Sequence, residues 1–236
     1  MSDAVPSPAA TRSKWHLPLL MVPVACVVGA GVIANASWAT LVKDHPLVLI
    51  ALSPINRYLL LTTNDLSAIE FFGVGFLRHI APDPFYWLLG YWFGDRALRW
   101  AIDTYPMLSS IAGEDGRALE QPESRKILYP LAFFAPNTWV ALLSGAARIP
   151  FATFALLNAA GTLARLALFR WIGTVFESEI QTIVDFISDY QWPATMISVV
   201  LVLIGMAFQF RRGKGELVGL AHLDETDDEE PSELSD

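Results

Sequence analysis

The stretch Tyr129–Phe176, YPLAFFAPNTWVALLSGAARIPFATFALLNAAGTLARLALFRWIGTVF, constrains this chain most. It has no acidic residue and is apolar enough to sit in lipid, yet it is interrupted. Pro136-Asn137-Thr138 breaks the first apolar run, and Arg148-Ile149-Pro150 separates it from a second. That second run carries Asn158, Gly161, Arg165 and Arg170. A soluble core helix would alternate faces, and a simple anchor would stay apolar throughout. Pro and Asn at membrane depth free backbone groups that are tolerated only inside protein or against a watery cavity. A broken apolar segment followed by a helix bearing polar groups therefore points to a transporter or lipid-handling site.

Composition marks the chain as a membrane protein. Of 236 residues, 53% are hydrophobic and 17% charged, with eight Trp and fourteen Phe, as expected of a polytopic membrane protein. The formal charge of −8 belongs to the end of the chain. Nine of the 24 acidic residues lie between Glu216 and Asp236, where there is no Lys or Arg, so the rest sets 16 basic residues against 15 acidic ones. The one cysteine, Cys26, excludes an intrachain disulfide and any Cys-rich metal site. No nucleophile with a base and orienter, no phosphate-cradling Gly loop and no metal-ligand cluster is visible. We therefore expect no enzyme, no cofactor and no metal. Membrane lipids are the expected partners and nucleic acid is not; a homo-oligomer is left open.

Taken in order, residues 1–16 read as a disordered cytoplasmic arm and 17–212 as the transmembrane domain. Leu17–Val42 has no charged residue and is long enough to span with tilt. Its length argues against a signal peptide cleaved near Ala34-Asn35-Ala36. In Pro46–Thr63 two short apolar runs flank Pro54-Ile55-Asn56-Arg57, and neither could span alone. A re-entrant pair of half-helices over 46–64 fits better than one helix with an arginine at its centre. A second re-entrant pair is expected over 128–147. Leu66–Ile80 is short for a span. Together with aromatic-rich Pro84–Trp100, which has Gly90 and Gly94 on one packing face, it is expected to make the inward crossing, as a half-span or a full one. Residues 101–126 form a polar cytoplasmic loop, Glu177–Gln191 an acidic connection, Pro193–Phe210 a final span, and 213–236 a disordered acidic tail.

Lys and Arg counts put the arm, the 101–126 loop and the Arg211–Lys214 cluster in the cytoplasm, and the acidic connection outside. Both termini are thus expected inside a multi-pass protein of the inner, or plasma, membrane. The two broken segments look alike. Ala51-Leu52-Ser53-Pro54 with Asn56 parallels Phe134-Ala135-Pro136-Asn137, and each is followed by a Pro-Phe start, Pro84-Phe85 and Pro150-Phe151. Two similar units of opposite orientation are a common transporter plan, with the site where the broken elements meet.

Phe134-Ala135-Pro136, Leu142-Leu143-Ser144-Gly145, Arg148-Ile149-Pro150, Phe154, Asn158, Gly161 and Gly173 together resemble the pattern of the DedA family, also called the SNARE-associated Golgi protein or VTT-domain family. In the first half, Pro54-Ile55 and Gly90-Tyr91-Trp92-Phe93-Gly94-Asp95 are similar too, so the resemblance covers about residues 45–176. The chain departs at Asn56-Arg57, where the family often has an acidic residue, and at Phe133 and Trp139, where it often has arginine. It resembles a divergent bacterial member. The resemblance implies an all-α polytopic fold: two re-entrant helical hairpins, related as an inverted repeat, packed among transmembrane helices. It further implies lipid movement between leaflets, of a polyprenyl phosphate or a phospholipid, with coupling to the proton gradient as an option.

A lipid phosphate drawn into a low-dielectric groove needs a fixed cation, preferably the forked donors of Arg. The candidates are Arg57 in the first break, Arg148 after the second, and Arg165, which shares a helical face with Gly161 and Asn158. Asn56, Asn137 and Asn158 are the candidate polar partners. Arg170, nearer the helix end, is expected to snorkel, and His79 to sit at the interface. Asp65 and Glu70 are the candidate proton carriers, since a carboxylate in lipid titrates upward. A lipid translocase or scramblase-like protein is the leading expectation. A small-solute or ion transporter, and a non-transporting scaffold whose tail recruits partners, are the alternatives.

Overall fold

A computed structural model describes residues 16–104, 108, 109, 113 and 122–212. The arm and the acidic tail, expected to be disordered, lie outside the described residues apart from His16. Among the described residues the fold is all-helical, with no strand.

The first helix, α1, runs His16–Asp44. From Val22 to Asp44 it is long and apolar enough to cross a membrane. Pro46 then opens α2 (Pro46–Leu52), at a position where a missing N–H costs nothing. Pro54 ends α2 by forcing Ser53 into extended backbone (φ −153°, ψ 103°). A new helix, α3 (Asn56–Thr62), starts two residues on. Each is seven residues long, about 10 Å of helix, so neither spans alone. Next, α4 (Ala68–Ile80) begins at a Ser67–Glu70 capping box, and α5 (Asp83–Phe93) follows after Ala81-Pro82.

The aromatic segment Pro84–Trp100, expected as one continuous part of the inward crossing, is two helices. Gly94 takes a positive φ of 47° and turns the chain between α5 and α6 (Asp95–Thr104). A residue with a Cβ rarely adopts that backbone, so Gly94 is a turn rather than part of a packing stripe. The expected 101–126 loop is also shorter. Helix α6 covers its start, and α7 (Pro122–Phe134) begins inside it. Pro136 then breaks the chain, and α8 (Thr138–Ala146) starts under Asn137, whose side chain accepts from Trp139 N at 3.3 Å.

After Pro150, α9 (Phe151–Val175) is the second helix able to cross a membrane. The acidic stretch Glu177–Gln191, expected as a connection, is helical in α10 (Glu177–Asp189). Ile180 and Val184 fall on one face and are buried, while Glu177 and Glu179 occupy the first turn, where the helix dipole favours them. A bend of 81° leads into α11 (Gln191–Arg212), and the pair could form a third, broken span.

Packing relates the two broken segments in a crossed pattern. Helix α2 lies against α4, and α7 against α9. Their second halves go elsewhere: α3 packs on α9, and α8 packs on α5. Glycines set the closest approaches. A Cβ on Gly90 would lie 2.0 Å from Leu142 O, and one on Gly145 would lie 2.0 Å from Trp87 O, so the α5–α8 crossing is backbone against backbone. Gly161 lets α9 meet Phe133 O at the end of α7 in the same way. Around this crossing sits the largest apolar cluster, including Tyr86, Leu89, Leu142, Leu143 and Phe154.

A cavity where the two breaks meet

The breaks Ser53-Pro54-Ile55 and Pro136-Asn137-Thr138, remote in sequence, line one cavity of ≈ 230 Å³. The α4–α5 junction closes it with Pro82 and Asp83, and Arg78, His79 and Arg165 supply its ionisable wall.

Each break exposes backbone carbonyls, and each receives an arginine from the helix packed on it. Helix α2 ends with carbonyls lacking a helical partner. Arg78 of α4 donates to two of them, Nε to Ala51 O at 2.9 Å and Nη2 to Leu52 O at 3.0 Å. At the second break Arg165 of α9 donates from Nη1 to Pro136 O at 3.4 Å. It also joins the two breaks, because its Nε donates to Asn56 Oδ1 at 3.0 Å and Nη2 donates to the same oxygen. No protein acceptor engages Arg78 Nη1 among the described residues. Asp83 is 4% exposed and accepts from Asn158 Nδ2 at 2.6 Å. The cavity wall thus carries two guanidinium groups and one carboxylate tied to an amide. Such a wall can hold an anion through charge-assisted hydrogen bonds in a site partly withdrawn from water.

The residues singled out from the sequence divide. Asn137 and Arg165 line the cavity, Asn56 is bonded to Arg165, and Asn158 stands behind Asp83. Arg57 does not line it: its Nη2 donates to Asn35 Oδ1 at 2.5 Å and to Tyr58 OH at 2.8 Å, on the α1 side of α3. Arg148 is also elsewhere. It closes α8 at a positive φ of 59° and lays its guanidinium 4.2 Å from the Tyr91 ring centre. Asp65 is exposed in the α3–α4 turn, and Glu70 completes the cap of α4, accepting from Ser67 Oγ at 2.7 Å and from Ser67 N at 3.0 Å. Arg170, expected to snorkel, bonds back to the chain just after α3. Its Nη1 donates to Thr63 O at 2.7 Å and Leu66 O at 2.8 Å, closing the end of α3. His79, expected at the interface, lines the cavity.

Sequence reasoning missed Arg78 and Asp83 as site residues. Asp83 lies between two prolines at a helix start, where an acidic residue reads as ordinary dipole complement. Arg78 sits one turn before the same junction. A usable signal was the match of Arg78 with Arg165, each on the helix after a Pro-broken segment.

No protein-family model, curated protein or solved structure matches this chain.

Proposed function

We propose that this chain is a multi-pass membrane protein that lets an anionic lipid head group cross between leaflets through the cavity where the two breaks meet. The observation that carries this reading is the convergence of both breaks with Arg78 and Arg165 on one cavity of ≈ 230 Å³. In this reading the α2–α3 and α7–α8 pairs are re-entrant hairpins related as an inverted repeat. Their likeness supports it: an Asn near the start of each second half-helix, an Arg from a following helix on backbone carbonyls at each break (Ala51 and Leu52 for Arg78, Pro136 for Arg165), and the crossed packing on α9 and α5. Irregular backbone at membrane depth serves a purpose where it lines a polar cavity. The resemblance to the DedA family points the same way, with a polyprenyl phosphate or a phospholipid as substrate in the cell membrane and both termini cytoplasmic.

The cavity has room for a head group but not for acyl chains, which would stay in the bilayer. The same volume fits a small free anion, and that observation favours an anion transporter as the second reading.

Purified protein in liposomes tests both. Leaflet exchange of a labelled phospholipid and a labelled polyprenyl phosphate is followed beside efflux of trapped inorganic phosphate. Wild type is expected to exchange at least one lipid, and Arg78→Ala and Arg165→Ala to abolish it. Phosphate efflux without lipid exchange would move the assignment to the second reading. Neither activity from folded protein would overturn both.

A further inference from the structure

A second cavity is separate from the one between the breaks. It is a groove of ≈ 670 Å³ between α1, α3 and α11, lined by Asn35, Trp38, Arg57, Ile197, Ser198 and Leu201 among others. Its floor is polar and cationic, and its α11 wall is aliphatic. Arg57 is oriented by neutral groups alone. Asn35 Oδ1 and Tyr58 OH accept from Nη2, and the Tyr58 and Trp38 rings lie 4.7 and 6.0 Å from the guanidinium carbon. Among the described residues no carboxylate is within ion-pair distance of Arg57, and no acceptor engages its Nε or Nη1. A guanidinium has five donors in a fork that matches a phosphate. Here one arm of the fork is held and the other is free.

Depth and direction also suit an amphiphile. Trp38 Nε1 donates to Ser198 Oγ at 2.9 Å and Thr40 pairs with Thr195 at 3.0 Å, so α1 and α11 run antiparallel along the groove. The Lys43–Asp185 ion pair marks the charged end of α1. Asn35 lies roughly 12 Å along the helix from Lys43. That places the free guanidinium below the charged layer, with Ile197 and Leu201, both exposed, leading away from that layer.

We infer that this groove is a binding site for an anionic phospholipid, whose phosphate takes the free arm of Arg57 and whose acyl chain lies along Ile197 and Leu201 of α11. The groove is distinct from the cavity lined by Arg165, and its occupancy does not depend on translocation. The charge complementarity sets the occupant: an uncharged lipid would leave the guanidinium unneutralised beside hydrocarbon, which is costly.

The test is native mass spectrometry of the whole chain, titrated with phosphatidylglycerol, diacylglycerol or soluble glycerol phosphate. One phosphatidylglycerol is expected to stay bound about tenfold more tightly than diacylglycerol, which lacks the phosphate, as befits one charge-assisted contact. Arg57→Gln, whose amide can still meet Asn35 and Tyr58, should remove that preference. Leu201→Trp, which fills the groove, should lower the affinity for both lipids. Arg165→Gln should leave the site intact, so failure of the translocation reading is read separately. Equal retention of the two lipids by wild type, or an unchanged preference in folded Arg57→Gln, would overturn the assignment. So would competition by glycerol phosphate as strong as that by the lipid, or a dimer that Leu201→Trp dissociates and phosphatidylglycerol does not affect, because a second copy would then occupy the groove.

Discussion

The α5–α8 crossing offers the sharpest stability test. An ideal Cβ on Gly90 would sit 2.0 Å from Leu142 O and 2.9 Å from Ala146 N, whereas ordinary contact begins near 3.4 Å. Gly90→Ala therefore requires α5 and α8 to separate by about 1.4 Å. The clashing atoms are backbone, so no rotamer change relieves them. Overpacking of this kind costs about 1–3 kcal/mol, and backbone on the far side puts it toward the upper end. Alanine's helix preference returns about 0.5–1 kcal/mol, leaving a net loss of about 1–2 kcal/mol. Gly145→Ala should behave alike, because its Cβ would meet Trp87 O at 2.0 Å. The double variant should lose less than the sum, since one separation of the helices relieves both clashes. Gly73→Ala is the control: it has nothing within 4 Å and should be neutral or stabilising. Unfolding in detergent micelles, followed by tryptophan fluorescence, reads all four. A Gly90→Ala midpoint equal to that of Gly73→Ala would refute the close crossing. The crossing also matters to the cavity, because α8 carries Asn137 at its start, so the destabilised variants should lose lipid exchange while still folded.

Other perturbations follow from single contacts. Leu166 is fully buried beside Ile50, Leu59 and Phe71, so Leu166→Ala should cost about 2–5 kcal/mol, read as a lowered unfolding midpoint. A double-mutant cycle on Arg165→Gln and Asn56→Ala should show a coupling of about 1–3 kcal/mol, and additive effects would deny the link between the two breaks. Asn158→Leu should lower the unfolding free energy by at least about 1 kcal/mol, read as a lowered midpoint, because it leaves Asp83 buried without its amide partner. The double change with Asp83→Leu should recover part of that loss. Lys43→Ala should leave the midpoint unchanged in low and high salt, since both partners of its ion pair are largely exposed, at 45% and 58%.

Much of the fold was legible because it rests on local chemistry. Pro54 and Pro136 remove donors and restrict the residues before them, so both breaks could be read from the chain alone. The apolar lengths of α1 and α9 were equally plain. Local reading failed where a residue's role depends on a distant partner. Gly90 and Gly94 share a spacing that reads as one packing face, yet Gly90 meets α8 and Gly94 turns the chain. Glu177–Gln191 has the acidity of a loop, yet Ile180 and Val184 find a buried face against neighbouring helices and make it a helix.

For the site the division is the same. The sequence determined by itself that this is a membrane chain, where it breaks, and that arginines stand near the breaks, because hydropathy, proline and charge act within a few residues. Only the tertiary structure decided that Arg165 spans both breaks, that Arg78 joins it, and that Arg57 faces a separate groove. Arg57 follows Asn56 directly, yet the two side chains serve different cavities because adjacent residues of a helix point about 100° apart. Which of them reaches the meeting of the breaks is set by the packing of α3 against α9 on one side and α1 on the other.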